Sequence, residues 1–287
     1  MKAFYHSADL DGHCSGAIVK MAYPDCEMIG INYGDEFPWA DIRAKEMTFM
    51  VDFSLQPFEG MEKLIKQCQL IWIDHHKSAI EEAKKSSYFG PPHVFIEGKG
   101  ACQLVWEYLK HDGHFYIEDF QNLLGVPTFI RLLAEYDVWN HLDPRTLPFQ
   151  YGMRQFEDTK PDNQEFWKSL FDTEQVQHIV EVGSIIIKYQ NSENKKYSDA
   201  CAFETELDGL KCIAMNKMLT NSKCFDSIWD PEDYDAMLTF GFRKGQWTVS
   251  LYSTRDDIDV SVIAKNRGGG GHKGASGFQC IELPFKL

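Results

Sequence analysis

Along residues 1–155, short apolar runs alternate with stretches whose apolar positions recur every three to four residues. The first kind predicts strands at Ala3–His6, Met28–Tyr33, Thr48–Phe53, Leu70–Asp74 and Val94–Glu97. The second predicts helices at His13–Ala22, Pro57–Gln67, Ser78–Lys85, Ala101–Lys110, Ile117–Leu124 and Pro127–Asn140. This β-α-β-α rhythm predicts an α/β domain with a mostly parallel, doubly wound sheet. Val176, Ile179, Val180, Gly183, Ile186 and Ile187 fall near one face of a further helix over Glu174–Asn194. The polar run Asn191–Asp199 reads as a linker or helix end.

The texture changes near residue 200. Strands are expected at Cys201–Glu206, Lys211–Asn216, Asp235–Arg243 and Trp247–Ser253, with a hairpin turn over Arg243–Gln246. A helix is expected at Asp259–Asn266. The expected organisation is therefore a first domain over 1–155, a helical linker over 156–199 and a smaller mixed α/β domain over 200–287.

Composition narrows the class. The chain has 287 residues, and its 44% hydrophobic share is enough for sizeable cores. No apolar stretch approaches the ~20 residues of a membrane span. The first residues do not read as a secretion signal, so a cytoplasmic protein with no membrane partner is expected. The eight cysteines are scattered without a C-x-x-C pair, against both zinc knuckles and a disulfide framework. A net charge of −14 with no basic stripe argues against long nucleic acids. A phosphate-bearing substrate should be small, its charge met locally.

Three acidic-histidine clusters follow predicted strands: His6-x-x-Asp9-x-Asp11-Gly12, Asp52 after Val51, and Asp74-His75-His76. Strand ends on one side of a parallel sheet converge, so the clusters can meet in space. Each alone has an ordinary explanation: a turn, a helix cap, a surface pair. Three at successive strand ends are not a coincidence. Clustered carboxylates repel unless cations are present. Carboxylates and imidazoles suit Mn²⁺, Mg²⁺ or Fe²⁺, and Co²⁺ is a further alternative. Two such ions roughly 3.5–4 Å apart can share a carboxylate and a water and neutralise a phosphoryl group.

A second signal is the run Gly268-Gly269-Gly270-Gly271-His272, lying between Val262-Ile263-Ala264 and Phe278. Side-chain-free backbone suits close approach to an anion. His272, Lys273 and Arg267 could add hydrogen bonds or positive charge.

Together these motifs resemble the DHH phosphoesterase family. Asp74-His75-His76 resembles its name-giving triplet, and Glu135-Tyr136-Asp137-Val138-Trp139 resembles its last acidic motif. Gly269-Gly270-Gly271-His272-Lys273-Gly274-Ala275-Ser276-Gly277 is similar to the GGGH signature of the DHH-associated C-terminal domain. The resemblance spans residues 4–278 in order. It implies that 1–155 is the metal-binding catalytic domain and 200–287 the substrate-binding domain. His6, Asp9 and Asp52 would hold one ion, and Asp11, Asp52, His75 and Asp137 the other, with Asp52 bridging. Asp137 enters through the resemblance alone. His76 would face the substrate phosphate as a donor, and Asp74 would orient a histidine. Gly269, Gly270, Gly271, His272, Lys273, Arg267 and Arg154 would bind substrate. His13, His93, His111, His114, His141 and His178 are read as bystanders.

The resemblance comes closest to the nano-RNase type. It implies hydrolysis of short oligonucleotides to nucleoside monophosphates by a water activated between two ions, Mn²⁺ foremost. Alternatives are a 3′-phosphoadenosine 5′-phosphate phosphatase and a (cyclic) dinucleotide phosphodiesterase; an exopolyphosphatase or a non-catalytic nucleotide-binding module ranks lower. A homodimer is allowed for. Base-stacking aromatics are expected, with Tyr33, Trp139, Tyr151 and Phe225 as candidates.

Overall fold

A computed structural model describes residues 1–87, 93–111 and 125–287. The helix expected at Ile117–Leu124, and His114, lie outside them. The chain divides into two compact units, Met1–Ile186 and Ile187–Leu287.

The first unit carries a five-stranded parallel sheet in the order β2-β1-β3-β4-β5. Its strands are β1 (Lys2–His6), β2 (Glu27–Ile31), β3 (Met47–Val51), β4 (Gln69–Asp74) and β5 (Val94–Phe95). The inner strands are apolar without alternation because both faces are covered. Ala3, Tyr5, Phe49, Val51, Ile71 and Ile73 share one core with α1 (Leu10–Ala22), α4 (Ala101–His111) and α5 (Thr128–Asp137). Phe4, Met50, Leu70 and Trp72 share the other with α2 (Glu59–Gln67) and α3 (Lys77–Lys85). The doubly wound sheet expected from the sequence is thus present.

Three short-range features differ from the expectation. β3 stops at Val51, because Asp52 turns into the left-handed region at φ 57°. Helices α6 (Thr146–Met153) and α7 (Gln164–Ser169) follow α5. Trp167 and Leu170, with Val176, Ile179 and Val180 of α8 (Thr173–Cys201), complete the first unit's core. Finally, the polar run Asn191–Asp199 is helical throughout. The ion pairs Lys195–Asp199 and Lys196–Glu193 support it. Asn194, which accepts from Lys217 Nζ at 2.8 Å, is buried there.

The second unit holds a six-stranded mixed sheet, order β10-β11-β9-β8-β7-β6. Its strands are β6 (Phe203–Leu207), β7 (Leu210–Asn216), β8 (Ala236–Arg243), β9 (Gln246–Tyr252), β10 (Gly270–His272) and β11 (Ala275–Cys280). Leu238, Phe240, Val249, Leu251 and Phe278 pack against Val260, Ile263 and Ala264 of α9 (Val260–Lys265). The expected hairpin turns at Lys244 and Gly245, both at positive φ. All eight cysteines are free. Among the described residues, no helix is long and apolar enough to cross a membrane.

Candidate metal centre

β1, β3 and β4 are neighbours in the sheet and end side by side. They deliver His6, Asp52 and His75 to one place. Asp9 caps α1 by accepting from Gly12 N–H at 2.9 Å. A Cβ on Gly12 would lie 2.0 Å from His6 O, so glycine lets the helix begin hard against β1. Asp11, in the first turn of α1, accepts from Ala101 N–H at 2.6 Å and Cys102 N–H at 2.9 Å, the start of α4. Gly100 permits this start, because a Cβ there would meet Ala134 Cα of α5 at 2.5 Å. α5 then ends on Asp137. Two helix termini in close contact therefore place Asp11 and Asp137 together.

The six residues converge. His6 Nδ1 lies 3.0 Å from Asp9 Oδ2 and 3.8 Å from Asp52 Oδ2. His75 Nε2 lies 3.2 Å from Asp52 Oδ1, 3.1 Å from Asp137 Oδ2 and 3.8 Å from Asp11 Oδ2. His6, Asp9 and Asp52 offer one set of ligand atoms, and Asp11, His75 and Asp137 another. One oxygen of Asp52 faces each histidine, as a bridging carboxylate would. A metal explains this arrangement in a way hydrogen bonding does not. His6 Nδ1, Asp52 Oδ1 and His75 Nε2 are buried yet have no hydrogen-bond partner, although carboxylates stand close by. A buried polar atom without a partner is costly. Ligand atoms gathered within 4.8 Å of one another in each set fit a divalent ion.

The electrostatics of the metal-free cluster agree. Asp52, with the Asp9 carboxylate beside it, raises the His6 pKa to about 10. Burial pulls His75 down, but Asp52, Asp11 and Asp137 outweigh it and lift it to about 10. Burial, then the charge of Asp52, lifts Asp11 to about 7. Burial, then the charge of Asp11, does the same for Asp137, to about 7. The site holds protons where cations belong.

His76 has a different place. Asp74 is fully buried and accepts through Oδ1 from His75 N–H, His76 N–H and His76 Nδ1, at 2.7, 3.0 and 2.7 Å. Its Oδ2 accepts from the Trp72 indole at 3.2 Å. With Nδ1 donated to Asp74, His76 is not free to ligate through that atom, and Nε2 is its outward nitrogen. Burial lowers the His76 pKa, but Asp74 prevails and raises it. Trp72 is a supporting residue the sequence did not single out, since as a core aromatic it carries no motif.

The remaining candidates divide. His13 bonds Thr159 Oγ1 and Ser7 O, a structural role. Arg267 pairs through both guanidinium termini with Asp208 at 2.7 and 2.6 Å, so an expected phosphate contact would compete with this ion pair. The Gly268 and Gly269 N–H groups close the C-terminus of α9, bonding Lys265 O and Ala264 O. Gly269 therefore has no amide to offer an anion. Gly270 and Gly271 pair as β10 with Gly277 and Ser276, so the glycine run is half strand rather than an open loop. A Cβ on Gly271 would meet Ser276 Cα at 2.5 Å, whereas one on Gly270 meets nothing within 4 Å. His272 and Lys273 are exposed. Arg154 is exposed at the end of α6, with its guanidinium 4.2 Å from the Tyr151 ring centre. Burial raises the Tyr136 phenol pKa, and the nearby Arg154 charge opposes that rise. Tyr151 and Phe225 are core residues, while Tyr33 and Trp139 are 49% and 59% exposed. The Tyr33 ring lies 5.7 Å from that of His6.

No family model matches the chain. It is 28% identical over 272 residues to the uncharacterised protein R106 of Acanthamoeba polyphaga mimivirus, a match covering 85% of this chain and 56% of that protein. The chain thus spans about half the length of the curated relative it matches. Its fold is similar to that of the pGpG-specific phosphodiesterase PggH from Vibrio cholerae, with TM-score 0.56 and 13% identity over 97% of this chain and 92% of that one. It is also similar to an exopolyphosphatase-related protein from Bacteroides fragilis, with TM-score 0.54 and 12% identity over 98% and 87%. At these identities the likeness is one of fold.

Proposed function

We propose that the chain is a phosphoester hydrolase of the DHH type, acting with two divalent ions on short oligonucleotides and linear dinucleotides to release nucleoside monophosphates. The observation that carries this is the set of buried, unpartnered atoms His6 Nδ1, Asp52 Oδ1 and His75 Nε2 inside a six-residue ligand cluster. The fold shared with a pGpG-specific phosphodiesterase, named for a dinucleotide, supports the reaction class.

His6, Asp9 and Asp52 would hold one ion, and Asp11, Asp52, His75 and Asp137 the other. Ions so held lower the pKa of a coordinated water and neutralise charge on a phosphoryl group. The chain's own residues do the rest. Asp74 fixes the His76 ring through Nδ1, and His76 Nε2 gives a proton to the departing sugar oxygen. His272, Lys273 and the open backbone at Gly270 take part in substrate binding. Arg154 meets a phosphate.

The test is turnover by the purified chain, with Mn²⁺, of RNAs two to five nucleotides long, linear and cyclic dinucleotides, 3′-phosphoadenosine 5′-phosphate and polyphosphate. Linear dinucleotides and short RNAs should be cleaved best. Turnover of polyphosphate alone would overturn the substrate class, and turnover of none would overturn the enzyme.

A further inference from the structure

We infer that Trp139 is the nucleobase-stacking residue of this site, an inference that rests on the phosphoesterase reading above. The geometry begins where α5 stops. Asn140 N–H donates to Glu135 O at 2.8 Å, and Trp139 N–H donates to Tyr136 O at 3.1 Å. This pair of bonds closes a helix around one left-handed residue, a position where glycine is the usual occupant. Here the occupant is Trp139, at φ 55°. A side chain strains the backbone there.

Burial does not compensate for the strain, because the indole stays 59% exposed. Two rings hold it in place. His141 lies 4.5 Å away between ring centres and Tyr136 5.7 Å, and Tyr136 and His141 stack on each other at 5.6 Å and 13°. The turn itself is pinned. Glu135 accepts from Arg131 Nη1, Asp143 N–H and Thr146 Oγ1, and Asp143 in turn pairs with Arg131 and Arg145. A bulky aromatic is thus fixed, open to solvent and strained, two residues past Asp137. Two ring contacts are a small return for a strained, mostly exposed indole, and local rules broken in this way mark function.

The chemistry that fits is a flat π surface. Every nucleobase has one, and aromatic side chains stack on it regardless of base identity. A polyphosphate has no base and would leave the shelf idle. Arg154 has no carboxylate partner among the described residues and adds a positive charge on the Tyr136 side of the shelf.

The substitution Trp139→Gly separates folding from recognition, because it relieves the backbone while removing the ring. The melting temperature should stay level or rise. KM for a 5′-phosphorylated dinucleotide should rise about 10-fold, the order of one lost stack. The wild-type preference for that dinucleotide over an abasic analogue with the same phosphodiester should fall toward one. Trp139→Phe should restore much of the preference. An unchanged preference in Trp139→Gly would overturn the inference. If the wild type cleaves neither compound, the phosphoesterase reading fails separately. Quenching of tryptophan fluorescence by the dinucleotide then still decides the shelf: loss of quenching in Trp139→Gly upholds it, and equal quenching overturns it.

Discussion

Asp52 is the residue on which the site turns. Its left-handed backbone ends β3 and swings the carboxylate between two histidines. Aspartate tolerates that conformation better than most residues, at on the order of 1 kcal/mol. The sequence made His6, Asp9, Asp11, Asp52 and His75 legible because strand-end position and ligand chemistry coincide there. Asp137 needed the motif order, since an acid at a helix end has many ordinary uses. Arg267 and Gly269 read as binding groups, and the sequence did not reveal the partners they have in the fold, Asp208 and Ala264 O. Asp74 was expected to orient a histidine, and the fold shows which one, His76. Replacing His76 with Ala should lower kcat about 100-fold or more while the ion content stays intact. Asp74→Asn should do likewise, and should also destabilise the fold by about 1–3 kcal/mol, since an amide N–H would face the Trp72 indole donor in a fully buried site. Measured ion content and kcat for both variants check this, and loss of ions in His76→Ala would make it a ligand instead.

At the scale of elements, the strands of the first unit were legible from their apolar runs and most of its helices from their periodicity, whereas α6 and the strands β10 and β11 were not. Which helix ends touch was not legible. Gly100 carries no motif, yet its missing side chain lets α4 and α5 meet and bring Asp11 to Asp137. Gly100→Ala should therefore cost about 1–3 kcal/mol in stability through overpacking and weaken ion binding at the Asp11, His75 and Asp137 set. Gly270→Ala makes the contrasting case. Nothing in the fold occupies the space of its Cβ, so stability should be unchanged, and a raised KM would report substrate passing close to that backbone. Chemical denaturation and steady-state kinetics on the two variants separate the packing role of Gly100 from the substrate contact proposed at Gly270. The polar run Asn191–Asp199 was left between linker and helix end for a related reason, and it is the end of α8. Its anchors, Lys217 and Ser227, come from elsewhere in the second unit.

For the whole molecule, the parallel sheet and the smaller mixed α/β unit were legible in the sequence, whereas the strand orders were not, and its acidity pointed to short substrates. The metal centre in metal-free form retains protons. His6 and His75 stay cationic up to about pH 10, and Asp11 and Asp137 stay protonated up to about pH 7. Ions bind the neutral imidazole and the ionised carboxylate, so each must expel protons on entry. Affinity should accordingly rise as pH is raised from 6 to 8. Calorimetric titration of Mn²⁺ into the chelator-stripped chain, repeated in buffers of different ionisation enthalpy, reads stoichiometry and proton release together. Two ions per chain, bound more tightly at higher pH with net release of protons, is the predicted result. A single ion, no binding, or uptake without proton release would contradict the two-metal centre.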